Sequence, residues 1–232
     1  MAHQLIKALS IGAAVTFLAI SGLAKADPLE SVFSLEVTNP AAFMGAMEQL
    51  LASDTMRDHN VTLWVSVFDG TDPATHVVVA QYEDYEDFEE LTQRRLASPD
   101  WSEFLLSGTD VWTGTAKLMA IQRVSYGDSW QTDGAAAAVI MTVRDPATYT
   151  DAFKRVTETY GKPGSVRLME IRAGGEGATH AVLYTAEGMA ELNEYIDGLL
   201  GSDVYRAFVG EVGDIRTINT VSMYSRVKTW GD

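Results

Sequence analysis

The chain has 232 residues, with 32 acidic and 17 basic side chains and a formal charge of −15 at neutral pH. That balance argues against nucleic acid or anionic lipid as a partner. With no cysteine, disulfides and a lipid anchor on an N-terminal cysteine are excluded.

In chain order, the first segment is a targeting pattern. Lys7 precedes an uncharged, mostly apolar run from Ala8 to Leu23, and Ala24-Lys25-Ala26 offers small residues at cleavage spacing. This reads as a signal peptide over residues 1–26, with a periplasmic or secreted product. The rival reading, an uncleaved anchor, is weakened by Ser10, Gly12, Thr16, Ser21 and Gly22. No later segment is apolar enough to span a membrane as a helix, so none is expected to contact one after cleavage.

Val32 to Val37 alternates Phe33, Leu35 and Val37 against Ser34 and Glu36, the period of a half-buried strand. Asn39-Pro40 follows, an N-cap with proline at the first helical position. Phe43, Met47 and Leu50 then recur at helical spacing. Val61–Gly70 reads as a second strand and His76–Tyr82 as a third. A helix over 84–106 is broken by Pro99 into two segments. Thr115–Val124 closes the set as a fourth strand.

The same order then recurs. "PATHVVVAQYE" (from Pro73) and "GATHAVLYTAE" (from Gly177) align, as do "LASPDWSEF" (from Leu96) and "LGSDVYRAF" (from Leu200), and "TNPAAF" (from Thr38) and "RDPATY" (from Arg144). A repeat found this way sets the fold. The division is residues 27–127 for the first repeat, 128–137 for a Gly/Asp/Ser/Thr-rich linker, and 138–232 for the second. Each repeat has the order strand, helix, strand, strand, helix, strand, a ferredoxin-like (βαββαβ) unit. Such a unit leaves one sheet face bare. The fold class is therefore α+β, with two tandem units packed sheet to sheet, each covering the other's face. A monomer with pseudo-twofold symmetry, or a weak homo-oligomer, follows.

The element order, the fused duplication and the segment Ser98–Trp101 resemble the dimeric α+β barrel superfamily, which includes antibiotic-biosynthesis monooxygenases, NIPSNAP-like proteins and stress-responsive barrel proteins. The resemblance implies a barrel with a central pocket. Function varies too widely on this fold to transfer a reaction. Relatives of the fold bind heme, but the chain has no Cys-x-x-Cys-His attachment, and no cofactor is expected.

Strand faces suggest a pocket lining. Ser34 and Glu36 point inward from the first strand, and Thr62, Trp64, Ser66 and Phe68 from the second. His76, Val78, Ala80 and Tyr82 point inward from the third, with His180, Val182 and Tyr184 in the other half. Leu168, Glu170 and Arg172 form the remaining set, which a one-residue slip would reverse. Trp64, Phe68, Tyr82, Tyr184 and Ser34 are the candidate ligand contacts. Glu36, Glu170, His76 and His180 are the candidate acid–base groups. The first and third strands are read as parallel, which would set Glu36 and His76 at opposite ends and favours structural histidines. The four histidines, His3, His59, His76 and His180, form no close cluster, and no metal is expected. Nucleophile-elbow, phosphate-loop and dinucleotide motifs are absent. The leading reading is a protein that binds a small hydrophobic or aromatic molecule between its halves. The alternatives are a cofactor-independent monooxygenase-like enzyme using the same cavity, and an interaction protein with a filled barrel.

Overall fold

A computed structural model of the chain describes residues 27–70, 72–128 and 132–231. The expected signal segment, 1–26, lies outside the described residues. The first half runs β1 (Leu29–Val37), α1 (Pro40–Leu51), β2 (Val61–Phe68), β3 (His76–Tyr82), α2 (Tyr85–Ala97), α3 (Pro99–Ser107) and β4 (Trp112–Tyr126). The second runs β5 (Ala135–Val143), α4 (Pro146–Tyr160), β6 (Ser165–Ala173), β7 (His180–Ala186), α5 (Met189–Gly201), α6 (Asp203–Val212) and β8 (Arg216–Trp230). The linker is shorter than expected, because β5 already begins at Ala135. Among the described residues no helix is long and apolar enough to cross a membrane.

Local chemistry sets the helix starts in pairs. Asn39 and Asp145 accept hydrogen bonds from the backbone N–H of Ala42 (3.1 Å) and Thr148 (3.2 Å), each just ahead of a proline. Ser98 and Ser202 do the same for α3 and α6, from Trp101 (3.2 Å) and Tyr205 (3.1 Å). The break at Pro99 is thus a new, capped helix. Its counterpart α6 starts without proline, because the serine cap suffices.

The eight strands close into one barrel in the order β1-β3-β2-β8-β5-β7-β6-β4. Within each half every pairing is antiparallel. β1 therefore opposes β3, with Leu35 opposite His76, and the parallel reading is corrected. The reason is topological. A helical crossover returns the chain so that β2 runs with β1, and the hairpin from β2 then sends β3 back. Glu36 and His76 consequently lie at the same end. The halves meet at their edges as well as across their inner faces: β2 pairs with β8 and β4 with β6. β4 and β8, at 15 residues each, are long enough to serve both a neighbour in their own half and one in the other.

The helices cover the outer faces. Phe43, Met47, Leu50 and Leu91 bury against Leu63, Val78 and Tyr82 in the first half. Tyr149, Phe153 and Val156 bury against Leu168 and Val182 in the second. Near the β6–β7 turn, Gly174 has φ of 77°, and a Cβ there would overlap the Lys117 carbonyl oxygen of β4. Gly174→Ala is therefore expected to cost about 1–3 kcal/mol, read as a lowered urea midpoint at unchanged m-value.

Candidate functional site

Alternation along the strands assigns the barrel interior. Val32 and Ser34 of β1, Trp64 of β2, and Val77 and Val79 of β3 point in. So do Ala116, Leu118 and Ala120 of β4, with Ala136, Ala138 and Ile140 of β5. Met169 and Ile171, Ala181 and Leu183, and Ser222 and Tyr224 complete the wall. Because so many of these are alanine, the barrel is not filled. A cavity of about 230 Å³ remains, roughly the share of eight waters in the liquid.

The duplication is broken inside this space. Trp64 sits opposite Val77, while Met169 sits opposite Ala181. Tyr224 faces Ala136, while Ala120 faces Glu30. One wall thus carries two aromatic rings with Val77 and Ala136. The opposite wall carries Ala120, Met169 and Ala181.

One end of the cavity is polar. The Glu30 carboxylate of β1 accepts from the Arg167 guanidinium of β6, and the two are 3 % and 4 % exposed. Gln81 of β3 donates to the same carboxylate at 2.8 Å. The pair joins the two halves and closes the end opposite the β2–β3 and β6–β7 turns. Neither residue was legible as a site residue. The first strand was expected to start at Val32, after Glu30. Arg167, Met169 and Ile171 face the cavity, so the expected inward set of Leu168, Glu170 and Arg172 is one residue out of phase with β6.

The predicted residues divide. Trp64, 5 % exposed, and Ser34 line the cavity. Phe68 is 67 % exposed at the end of β2, after a register shift between Ser66 and Phe68. Tyr82 and Tyr184 point the other way. Tyr82 packs edge-on to Phe88 of α2 (5.1 Å) and Tyr184 packs on Tyr195 of α5 (5.8 Å). Burial raises the Tyr184 phenol pKa far above its ordinary range. Glu36 is exposed at the strand end, beyond the cavity. Glu170 lies on the outside, paired with Arg123 (2.7 Å) and Arg172 (3.0 Å). The inward orientation expected for Tyr82, Tyr184, Glu170, His76 and His180 is therefore corrected. In a barrel strand both faces are buried, so a run such as Val77-Val78-Val79-Ala80 carries no contrast to fix its phase.

The repeated Thr-His pair has its own geometry. The Thr75 hydroxyl accepts from the backbone N–H of Val37 at 2.9 Å, and Thr179 does so from Val143 at 2.8 Å. Each threonine also shares a hydrogen bond with the Nδ1 of the following histidine, at 2.8 and 2.9 Å. His76 then meets Phe43 of α1 (5.8 Å) and His180 meets Tyr149 of α4 (6.3 Å). The motif fastens the hairpin to the first strand and seats the helix. Desolvation lowers the pKa of both imidazoles, a fall that Glu170 partly opposes at His180.

Among the described residues no group of three His, Cys, Asp or Glu is placed to hold a metal. The cavity does not fit a histidine-ligated heme: His76 and His180 face helices, and among the described residues no histidine lines the space.

No family model matches the chain, and no curated protein matches it. Solved structures do. A proposed monooxygenase of Fusobacterium nucleatum subsp. nucleatum superposes with a TM-score of 0.62 at 14% identity, over 89% of this chain and 95% of that one. An anthrone oxidase-like protein gives 0.58 at 15% identity, over 88% and 92%. A mutant chlorite dismutase of Candidatus Nitrospira defluvii gives 0.52 at 10% identity, over 89% and 94%. At these identities the likeness is one of fold: the chain has the duplicated, ferredoxin-like α+β barrel.

Two expectations follow. Glu30→Leu and Arg167→Met should each cost about 3–5 kcal/mol, because each strands a buried charge, while the double variant should lose far less than their sum; urea unfolding of all four proteins measures the coupling. The histidine pKa values are lower in the folded chain than the ordinary 6.5, so the unfolded chain takes up protons first. Stability should be full above about pH 6.5 and fall below it. In His76→Gln or His180→Gln, denaturation curves between pH 7 and 5 should show a shallower fall, by up to ~1.4 kcal/mol per pH unit.

Proposed function

We propose that this protein binds a small, largely apolar molecule carrying an aromatic ring inside the barrel, and that it does so as an exported, periplasmic or secreted protein acting as a monomer or weak homo-oligomer. The cavity supports this reading: about 230 Å³ of space, two aromatic rings on one wall, alanines on the other, and one buried ion pair at the end. Ligand sites have this character, mostly apolar with a few polar groups that orient the guest. Trp64 and Tyr224 offer ring faces, and Met169 offers a polarisable thioether opposite them. Ser34 and Ser222 add hydroxyls along the bore. The volume admits a ligand of one or two rings. An open cavity also argues against a filled barrel that acts only through its surface. The strong negative charge supports a partner other than nucleic acid.

A second reading is supported by the neighbours named as a monooxygenase and as anthrone oxidase-like. In it the same cavity serves a cofactor-independent monooxygenase-like enzyme. Dioxygen uptake by metal-free protein with an anthrone substrate separates it from simple binding.

Native mass spectrometry of protein isolated from the periplasm should show a co-purifying small molecule. With 1-naphthol as a probe, Ala120→Leu and Ala181→Leu should weaken binding about tenfold or more by occupying the cavity, without loss of fold by circular dichroism. Equal affinity in wild type and both variants would remove the cavity as the site.

A further inference from the structure

The polarity of the cavity's open end narrows the class of ligand. β1, β2, β5 and β6 all run in one direction, so the β2–β3 and β6–β7 turns stand together at one rim. From the first turn Asp72 reaches the cavity, and from the second Glu176. Asp72 is held in place by accepting from the Ala74 N–H at 2.9 Å. Asp69, in the same turn, accepts from the Ser66 hydroxyl at 2.5 Å, and Ser66 pairs with Tyr224 of β8. Asp69 and Asp72 thus stand at or beside the rim above the aromatic wall, and Glu176 faces them from the rim above the opposite wall.

Glu176 is the one non-glycine with positive φ among the described residues, at 50°. A glutamate in the left-handed region gains nothing from it locally. Such strain concentrates where the surroundings need a side chain in a given place. Here it sets a carboxylate at the mouth, beside the glycines of "AGGEG".

The nearby cations are engaged on the outside. The Lys117 ammonium lies over the Phe33 ring (5.0 Å), and Arg172 pairs with Glu170. Within the lining, Arg167 is matched by Glu30, which leaves Asp72 and Glu176 as the uncompensated charges. The whole chain, at −15, adds a long-range field of the same sign.

We propose that the ligand is an organic cation: a small aromatic ammonium compound, its nitrogen at the rim between Asp72, Glu176 and the Tyr224 and Trp64 rings, its hydrocarbon part in the bore toward Ala120 and Met169. Ring faces and carboxylates together form the environment that attracts such a group. Tyr224 fits this setting. Burial, reinforced by Asp69 and Asp72, pushes its phenol pKa up, so it stays protonated and presents a neutral ring. An anionic ligand would meet the rim charges first and an already paired arginine second. The inference rests on the cavity being the ligand site, and names the chemistry of its occupant.

The test uses three probes of one shape and different charge: 2-phenylethylammonium, 2-phenylethanol and phenylacetate, titrated calorimetrically into the mature chain. The ammonium should bind about tenfold tighter than the alcohol, and the carboxylate weakest, with the ammonium's advantage shrinking as salt is raised. In Asp72→Asn/Glu176→Gln the advantage should vanish while the affinity for 2-phenylethanol is unchanged. If the alcohol binds as tightly as the ammonium, or the advantage survives in the double variant, the rim assignment is overturned and the cavity reading stands. If none of the three binds, the cavity reading falls and this inference with it.

Discussion

The structure depends on how two half-sheets dispose of their edges. A four-stranded ferredoxin-like sheet ends in two edge strands with unpaired N–H and C=O groups. Here β2 gives its free edge to β8 and β4 gives its free edge to β6. Each half thus supplies one short and one long strand to the seams. The result is a closed wall with no edge, a curvature that holds the two inner faces apart, and a space between them. Face-to-face stacking of flat sheets would have squeezed that space out. The buried Glu30–Arg167 pair spans the β4–β6 side between β1 and β6. Its net contribution to stability is small against a well-packed apolar pair, but it penalises misalignment of the halves, since a slip would leave both charges buried alone.

Outside the barrel the two halves still follow one pattern, and inside they do not. The helix caps, the Thr-His fastening and the aromatic under the first helix recur in both copies. The inward positions differ in kind: tryptophan against methionine, tyrosine against alanine, glutamate against alanine. Packing of helices on a sheet requires the same solution twice. A cavity on the pseudo-twofold axis does not, because it is one space shared by both copies, and a single guest without twofold symmetry needs different walls.

This division explains what could be read from the residues. The repeat, the element order and the helix starts rest on local chemistry that each copy states for itself: Asn39-Pro40 with Asp145-Pro146, Ser98 with Ser202. The strand phases had no such signal. In β3, three valines in a row are compatible with either face, and His76, the polar residue that precedes them, occupies the helix side, held there by Thr75. In β1 the phase was readable, because Ser34 alternates with Phe33 and Leu35, and Ser34 indeed lines the cavity. Glu30 shares that phase but lay beyond the expected strand end. Arg167 is the converse case: a basic residue, 4 % exposed, whose inward position makes sense only with a partner 137 residues earlier in the chain.

The cavity is itself an energetic statement. Empty space in a protein interior costs about 24 cal/mol per Å³ where the surroundings cannot collapse. Over roughly 230 Å³ that is about 5.5 kcal/mol, comparable to the whole stability of a modest domain. Water entering at the rim reduces the figure without changing its sign, because the alanine-rich bore offers few hydrogen bonds. A barrel can avoid the cost by carrying leucine where this one carries Ala120, Ala138 or Ala181. Helix packing imposes no limit on those inward positions, which face away from it. A guest that fills the bore recovers the lost dispersion contacts, and by mass action one present at 100 times its Kd stabilises the fold by about 2.7 kcal/mol. Small side chains at the centre of an otherwise tightly packed molecule therefore leave the empty barrel less stable than a filled core, a cost that the proposed guest would offset.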